Sequence, residues 1–108
     1  MIPDAPPPPR RSTPPLLDDL GHLIVEGKDA TAFLWQVPDD EATRTRLRDV
    51  IEQVRDRSTG QGRREMPRLC EDLLVALRAR PSPQQVDILQ DGFDRLYKLW
   101  GAAKSGLL

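Results

Sequence analysis

Two apolar stripes separated by a short glycine-containing segment constrain this chain more than any other feature of it. Both stripes follow the i, i+3, i+4, i+7 spacing of a helix with one buried face. The first consists of Leu47, Val50, Ile51 and Val54, and the second of Met66, Leu69, Cys70, Leu73, Leu74 and Leu77. The residues between them, Ser58-Thr59-Gly60-Gln61-Gly62, are typical of a turn. The pattern therefore predicts an antiparallel helical hairpin, the centre of a small bundle.

Proline and glycine divide the chain before this hairpin. Residues 1–15 are about half proline and predict an extended, disordered tail. Thr13 followed by Pro14 predicts the start of a first helix, because a hydroxyl caps well and proline suits the first helical position. Gly27 predicts the end of that helix. Its apolar stripe is Leu16, Leu20, Leu23 and Ile24.

The region after Gly27 allows two predictions. Asp29 can cap a short second helix that carries Phe33 and ends at Pro38. A β-hairpin with strands at residues 22–25 and 32–35 is the alternative, but a lone two-stranded hairpin is marginal in water and the rest of the chain offers no further strand. We therefore favour helices here.

Capping residues mark the remaining helix starts. Asp39 and Asp40 before Glu41 predict the start of a third helix that runs to about Arg57. Pro67 places the start of the fourth helix near Glu65 or Met66, since proline is disfavoured in a helix interior.

The fifth helix has the strongest start signal of the chain. Ser82 caps it, Pro83 takes its first position, and Gln85 is the expected capping-box partner of Ser82. Its stripe is Val86, Leu89, Phe93, Leu96 and Trp100, and residues 101–108 are expected to fray. We also expect most aromatic side chains to lie in the core. The fold prediction is all-α: an antiparallel bundle of four to five helices over residues 16–104, preceded by the tail.

Composition argues against catalysis, metal binding and secretion. Cys70 is the single cysteine and His22 the single histidine, so neither an internal disulfide nor a multi-cysteine metal site can form. No phosphate-binding glycine loop is present, and the carboxylates are scattered. We expect no enzyme and no cofactor. The chain has neither the apolar core of a signal peptide nor about 18 consecutive apolar residues, which predicts a cytoplasmic protein.

The segment from Ile51 to Leu77, IEQVRDRSTGQGRREMPRLCEDLLVAL, resembles the histidine-phosphotransfer (Hpt) domain, in particular the first domain of chemotaxis kinases of the CheA type. In that family a helix bearing H-x-x-K-G leads into a small-residue turn and a leucine-striped helix. The proline-containing loop and last helix of this chain are similar to those that follow in the family, so the resemblance covers roughly residues 14–100.

The resemblance implies a bundle that has lost the phosphoryl-accepting histidine. With one gap in the turn, the histidine position falls on Gln53, and the lysine and glycine fall on Asp56 and Arg57; without the gap, the histidine position falls on Asp49. None of these residues offers an imidazole. On a helical wheel, Gln53 lies about 110° from the apolar stripe, near Arg46, Asp49 and Arg57.

The sequence therefore predicts a non-catalytic protein-interaction module in bacterial two-component or chemosensory signalling. The residues expected to contact a partner, a receiver domain or a kinase, are Arg46, Asp49, Gln53, Asp56 and Arg57.

Two other interpretations remain open. Residues 44–68 carry eight arginines against four acids, a balance that could serve nucleic-acid binding. A structural bundle could instead form a homodimer through apolar surface on the short second helix or on the last one.

Overall fold

The chain forms four antiparallel α-helices. The computed structural model describes residues 15–59 and 64–106, and within these ranges it contains no strand. The helices are α1 (Pro15–Leu34), α2 (Glu41–Thr59), α3 (Glu65–Leu77) and α4 (Pro83–Lys104). Each packs on two neighbours, with α1 and α3 both lying against α2 and α4. This arrangement confirms the predicted all-α bundle, with four helices and not five.

The alternation of helix directions gives the bundle two distinct ends. The α1–α2 loop and the α3–α4 loop lie together at one end, which we call the loop end, because the side chain of Arg44 bonds to Pro38 in one loop and to Ala79 in the other. The start of α1 and the last turns of α4 lie together at the opposite end, the terminal end, where Trp100 bonds to Leu17.

The predicted helix starts after residue 38 are confirmed. The carboxylate of Asp40 accepts a 3.0 Å hydrogen bond from the backbone N–H of Thr43 and caps α2. α3 begins at Glu65, two residues before Pro67. The Ser82 hydroxyl accepts a 3.1 Å bond from the backbone N–H of Gln85 at the start of α4. The predicted tail lies outside the described residues except for Pro15, where α1 begins. The Thr13 cap and residues 60–62 of the turn lie outside them as well.

Gly27 does not end the first helix, so the predicted division into two short helices is wrong. α1 continues through Gly27 to Leu34, and Asp29 lies inside it instead of capping a new helix. The β-hairpin alternative is also excluded, since residues 22–34 are helical. The reason is packing: a Cβ at position 27 would overlap the ring of Phe93 on α4. Glycine at this position lets the two helices approach closely.

The core lies between all four helices. The predicted stripes of α2, α3 and α4 are buried, except that Leu69 and Trp100 are only partly covered. Phe93 is the largest fully buried side chain. The fully covered members of the core include Leu20, Ile24, Leu34, Leu47, Ile51, Val54, Cys70, Val86, Leu89 and Leu96. These residues bury enough apolar surface to hold the bundle together.

α4 extends further than the sequence predicts. It continues to Lys104, and Ala103 is buried, so the expectation that residues 101–108 fray is wrong for residues 101–104. Residues 107 and 108 lie outside the described part. None of the four described helices is long and apolar enough to span a bilayer.

Candidate protein-interaction surfaces

All five residues predicted to contact a partner are exposed on α2. Arg46, Asp49, Gln53 and Arg57 follow one another at helical spacings of three, four and four residues, so they form one continuous strip. We call these four residues the α2 face. The strip runs along the outer side of α2, next to α1.

Ion pairs connect the two arginines of the α2 face to α1. Arg46 lies 2.8 Å from the carboxylate of Glu26, and the Arg57 guanidinium lies 3.7 Å from that of Asp19. Both pairs are exposed to solvent, where such pairs contribute little to stability. Both guanidinium groups remain accessible to solvent, so the carboxylates of a partner can compete with Glu26 and Asp19 for them.

The carboxylate of Asp56 is directed away from this strip. It accepts a 3.1 Å hydrogen bond from Arg55, whose guanidinium also bonds to Glu71 of α3. The structure thus brings together four of the five predicted contact residues and links the fifth to the opposite flank of α2.

A surface depression of about 260 Å³ continues the α2 face towards α1. It is lined by Asp29, Ala30, Phe33, Thr43 and Arg46. Phe33 is 44% exposed, so the prediction that this ring belongs to the core is wrong. Phe33 places an exposed apolar ring beside the α2 face. Sequence periodicity did not distinguish this ring from a core side chain.

The buried pair Arg44 and Gln85 was missed by the sequence analysis. Arg44 is only 8% exposed, and its guanidinium donates to the Gln85 side chain at 2.6 Å, to the Leu77 carbonyl at 2.9 Å and to the Ala79 carbonyl at 3.2 Å. A cation here also suits the negative end of α3. The signal was present in the sequence, because Arg44 precedes Leu47 by three residues and so lies on the apolar stripe.

Gln85 is not a capping-box partner. Its side-chain amide donates to the carbonyls of Ala76 and Ala79, at 2.9 and 2.7 Å, instead of reaching back to the start of α4. These bonds give two carbonyls at and just beyond the end of α3 a side-chain donor in addition to the backbone N–H of Ala79 that the Ala76 carbonyl accepts. The pair of Arg44 and Gln85 therefore fixes the α3–α4 loop and leaves the α2 face unaffected.

The arginine-rich middle of the sequence is less available than its composition indicates. Arg44 is buried, and Arg46, Arg55 and Arg57 pair with carboxylates. Arg64 and Arg68 lie with Arg95 around a second depression, of about 520 Å³, which also contains two acids, Glu65 and Asp72. Because acids accompany most of these arginines, the described residues do not form the concentrated positive patch that nucleic acid requires.

The described residues hold few groups suited to chemistry. They contain no cluster of three or more potential metal ligands. His22 is exposed on α1, and Cys70 is buried between helices, where desolvation raises the pKa of its thiol to about 12. At neutral pH Cys70 is therefore an unreactive thiol.

Two further aromatic side chains lie at the surface where the sequence predicted core. Trp35 is 43% exposed and donates a 2.8 Å hydrogen bond from its indole to Gln90 of α4. Tyr97 is exposed to a similar extent, with the ammonium group of Lys28 lying 4.7 Å from its ring centroid. Of the five aromatic residues, only Phe93 is fully buried and Trp100 partly so.

A scan against protein-family models, a search of curated proteins and a search of solved structures each find no match to this chain.

Proposed function

We propose that this protein is a non-catalytic interaction module, similar to an Hpt domain without its acceptor histidine. In this proposal the α2 face docks a receiver domain or a kinase in bacterial two-component or chemosensory signalling. The protein then acts as an adaptor and transfers no phosphoryl group.

The observation that carries the proposal is the position of Gln53. It lies near the middle of α2, exposed, on the second helix of an antiparallel four-helix bundle, and charged residues flank it on the same strip. With one gap in the turn, the resemblance in the sequence aligns the acceptor histidine of Hpt domains with this position; without the gap it aligns with Asp49, on the same strip. A side chain here is accessible to a globular partner along the whole outer side of α2.

The side chains of the α2 face support binding and not transfer. An amide such as that of Gln53 both donates and accepts hydrogen bonds, but its nitrogen is not a nucleophile at neutral pH. Arg46 and Arg57 offer forked donors that suit carboxylates. A receiver domain or kinase with an acidic contact surface is the partner that fits these groups.

The proposal is tested by titrating the protein against a panel of purified bacterial receiver domains and kinase ATP-binding domains. We expect at least one of them to bind with a dissociation constant below about 100 µM, which corresponds to more than about 5 kcal/mol. Arg46→Glu and Arg57→Glu should each weaken that binding by about tenfold or more, because each places negative charge against the acidic surface of the partner.

Matched controls make the same changes elsewhere on the surface. Arg68→Glu lies on α3 and Arg95→Glu on α4, and both positions are exposed. These variants should bind as the unaltered protein does. Absence of binding across the panel would refute the proposed function, as would binding that the two α2 substitutions and the two controls weaken equally.

A further inference from the structure

The loop end of the bundle carries a self-complementary surface. Arg44 holds the α1–α2 and α3–α4 loops side by side, because its guanidinium bonds to carbonyls of Pro38 and Ala79. The two loops therefore present one joint surface, and the side chains on it belong to two different parts of the sequence.

Both loops carry exposed apolar side chains. Trp35 is 43% exposed and Val37 is 37% exposed, and both follow directly on the end of α1. Pro81 is exposed in the other loop. Trp35 is held in place by its bond to Gln90. A rigid, partly exposed indole next to aliphatic groups is the kind of side chain that anchors protein interfaces.

The two loops carry exposed charges of opposite sign. Asp39 and Glu41 are exposed on the α1–α2 side, and Arg78 and Arg80 are exposed on the α3–α4 side. The salt bridges among the described residues include none of these four. The joint surface thus combines an acidic lobe on the α1–α2 side, a basic lobe on the α3–α4 side and exposed apolar side chains.

We propose that this surface binds a second copy of the chain, loop end to loop end. A two-fold axis through the joint surface places the acidic lobe of each copy against the basic lobe of the other, so both charge contacts are favourable at once. Trp35 and Val37 of the two copies then cover each other. A surface of two short loops is smaller than the roughly 800 Å² per partner of a standard interface, so the dimer is a weak, reversible one.

The same charges have a role within each copy, and the test must separate the two roles. Acids near the start of α2 and arginines at the end of α3 favour their own helix dipoles. Reversing them lowers stability in every context, and mixing two variants does not restore it. Dimerisation, in contrast, depends on which charges face each other across the axis.

The experiment uses two charge-reversed variants of the whole chain. One carries Asp39→Lys and Glu41→Lys, which leaves both lobes positive. The other carries Arg78→Glu and Arg80→Glu, which leaves both lobes negative. Sedimentation equilibrium should give a salt-sensitive dimer for the unaltered protein, with a dissociation constant on the order of 10–100 µM, and monomer for each variant alone. An equimolar mixture of the two variants should again sediment as a dimer.

The control variant carries Asp72→Lys and Asp91→Lys, two exposed changes on α3 and α4 with the same change in net charge as the first variant. It should dimerise as the unaltered protein does, and circular dichroism should show all three variants to be helical. A monomeric unaltered protein at about 500 µM, well above the expected dissociation constant, would overturn the proposal. A dimer that persists in either charge-reversed variant, or a mixture that stays monomeric, would overturn it as well.

Discussion

Replacement of Arg44 should lower the stability of the fold strongly. It is a buried cation whose bonding partners are carbonyl and amide oxygens. Replacing it by Met keeps much of the apolar stem and removes every donor, which leaves the Leu77 carbonyl and the Gln85 side chain with unmet hydrogen bonds. We expect Arg44→Met to lower the free energy of unfolding by about 3 kcal/mol.

Chemical denaturation measures this effect. The matched control is Arg48→Met, the same substitution at an exposed position one turn along α2. It should change the free energy of unfolding by no more than about 0.5 kcal/mol. Equal effects of the two substitutions would mean that the bonds of Arg44 do not stabilise the fold.

Cys70 should make the fold less stable at alkaline pH. Burial raises the pKa of its thiol from the ordinary 9.0 to about 12 in the folded chain. Above pH 9 the unfolded chain loses the thiol proton while the folded chain keeps it. Ionisation of this thiol therefore leaves the free energy of unfolding unchanged below pH 9 and lowers it as the pH rises towards 12. The loss should be about 1.4 kcal/mol per pH unit in that window.

Other groups also titrate above pH 9, so the effect of Cys70 is read as a difference. Denaturation of the unaltered protein and of Cys70→Ala at pH 7 and pH 10 should show the stability gap between them shrinking by about 1.4 kcal/mol at the higher pH. A stability difference that is the same at both pH values would show that the thiol has the same pKa in the folded and the unfolded chain.

At the scale of the helix, α1 depends on glycine where helices usually avoid it. The ring of Phe93 packs against Gly27, and the indole of Trp100 packs against Gly21. Gly27→Ala should therefore destabilise the protein by about 1–2 kcal/mol, because overlap with the ring outweighs the gain of up to about 1 kcal/mol in helix propensity.

Gly101→Ala is the matched control, since nothing lies within 4 Å of a Cβ at that position of α4. It should raise the free energy of unfolding by up to about 1 kcal/mol. Combining Gly27→Ala with Phe93→Leu should cost less than the sum of the two single changes, because the smaller side chain leaves room for the methyl group. Additive costs would contradict a direct contact between the two positions.

The helices themselves were largely predictable, and the errors have a physical cause. Periodicity and caps identified α2, α3 and α4 because the buried stripe and the start signal of each are local in sequence. The behaviour of Gly27 was not predictable, since it depends on Phe93, a residue 66 positions later along the chain. A glycine that ends a helix and one that admits a neighbouring helix look the same until the neighbour is known.

At the scale of the whole molecule, the sequence predicted the composition of the α2 face but not its surroundings. Helical spacing alone places Arg46, Asp49, Gln53 and Arg57 in one strip. The ion pairs that tie the two arginines to α1, and the exposed Phe33 beside them, depend on how α1 packs. The joint surface of the loop end could not be predicted either, because it arises from two loops about 40 residues apart in sequence, separated by a complete helical hairpin.

The chain's two tryptophans lie at opposite ends of the bundle, so tryptophan fluorescence can report on each end separately. Trp35 is at the loop end, bonded to Gln90, and Trp100 is at the terminal end, with its indole donating to the Leu17 carbonyl at 2.6 Å. Replacing either by Phe leaves a single tryptophan, which can be excited selectively over Tyr97 and whose emission reports one end. Coincident melting curves from the two single-tryptophan proteins would show that the bundle unfolds as one cooperative unit, whereas separated curves would reveal which end opens first.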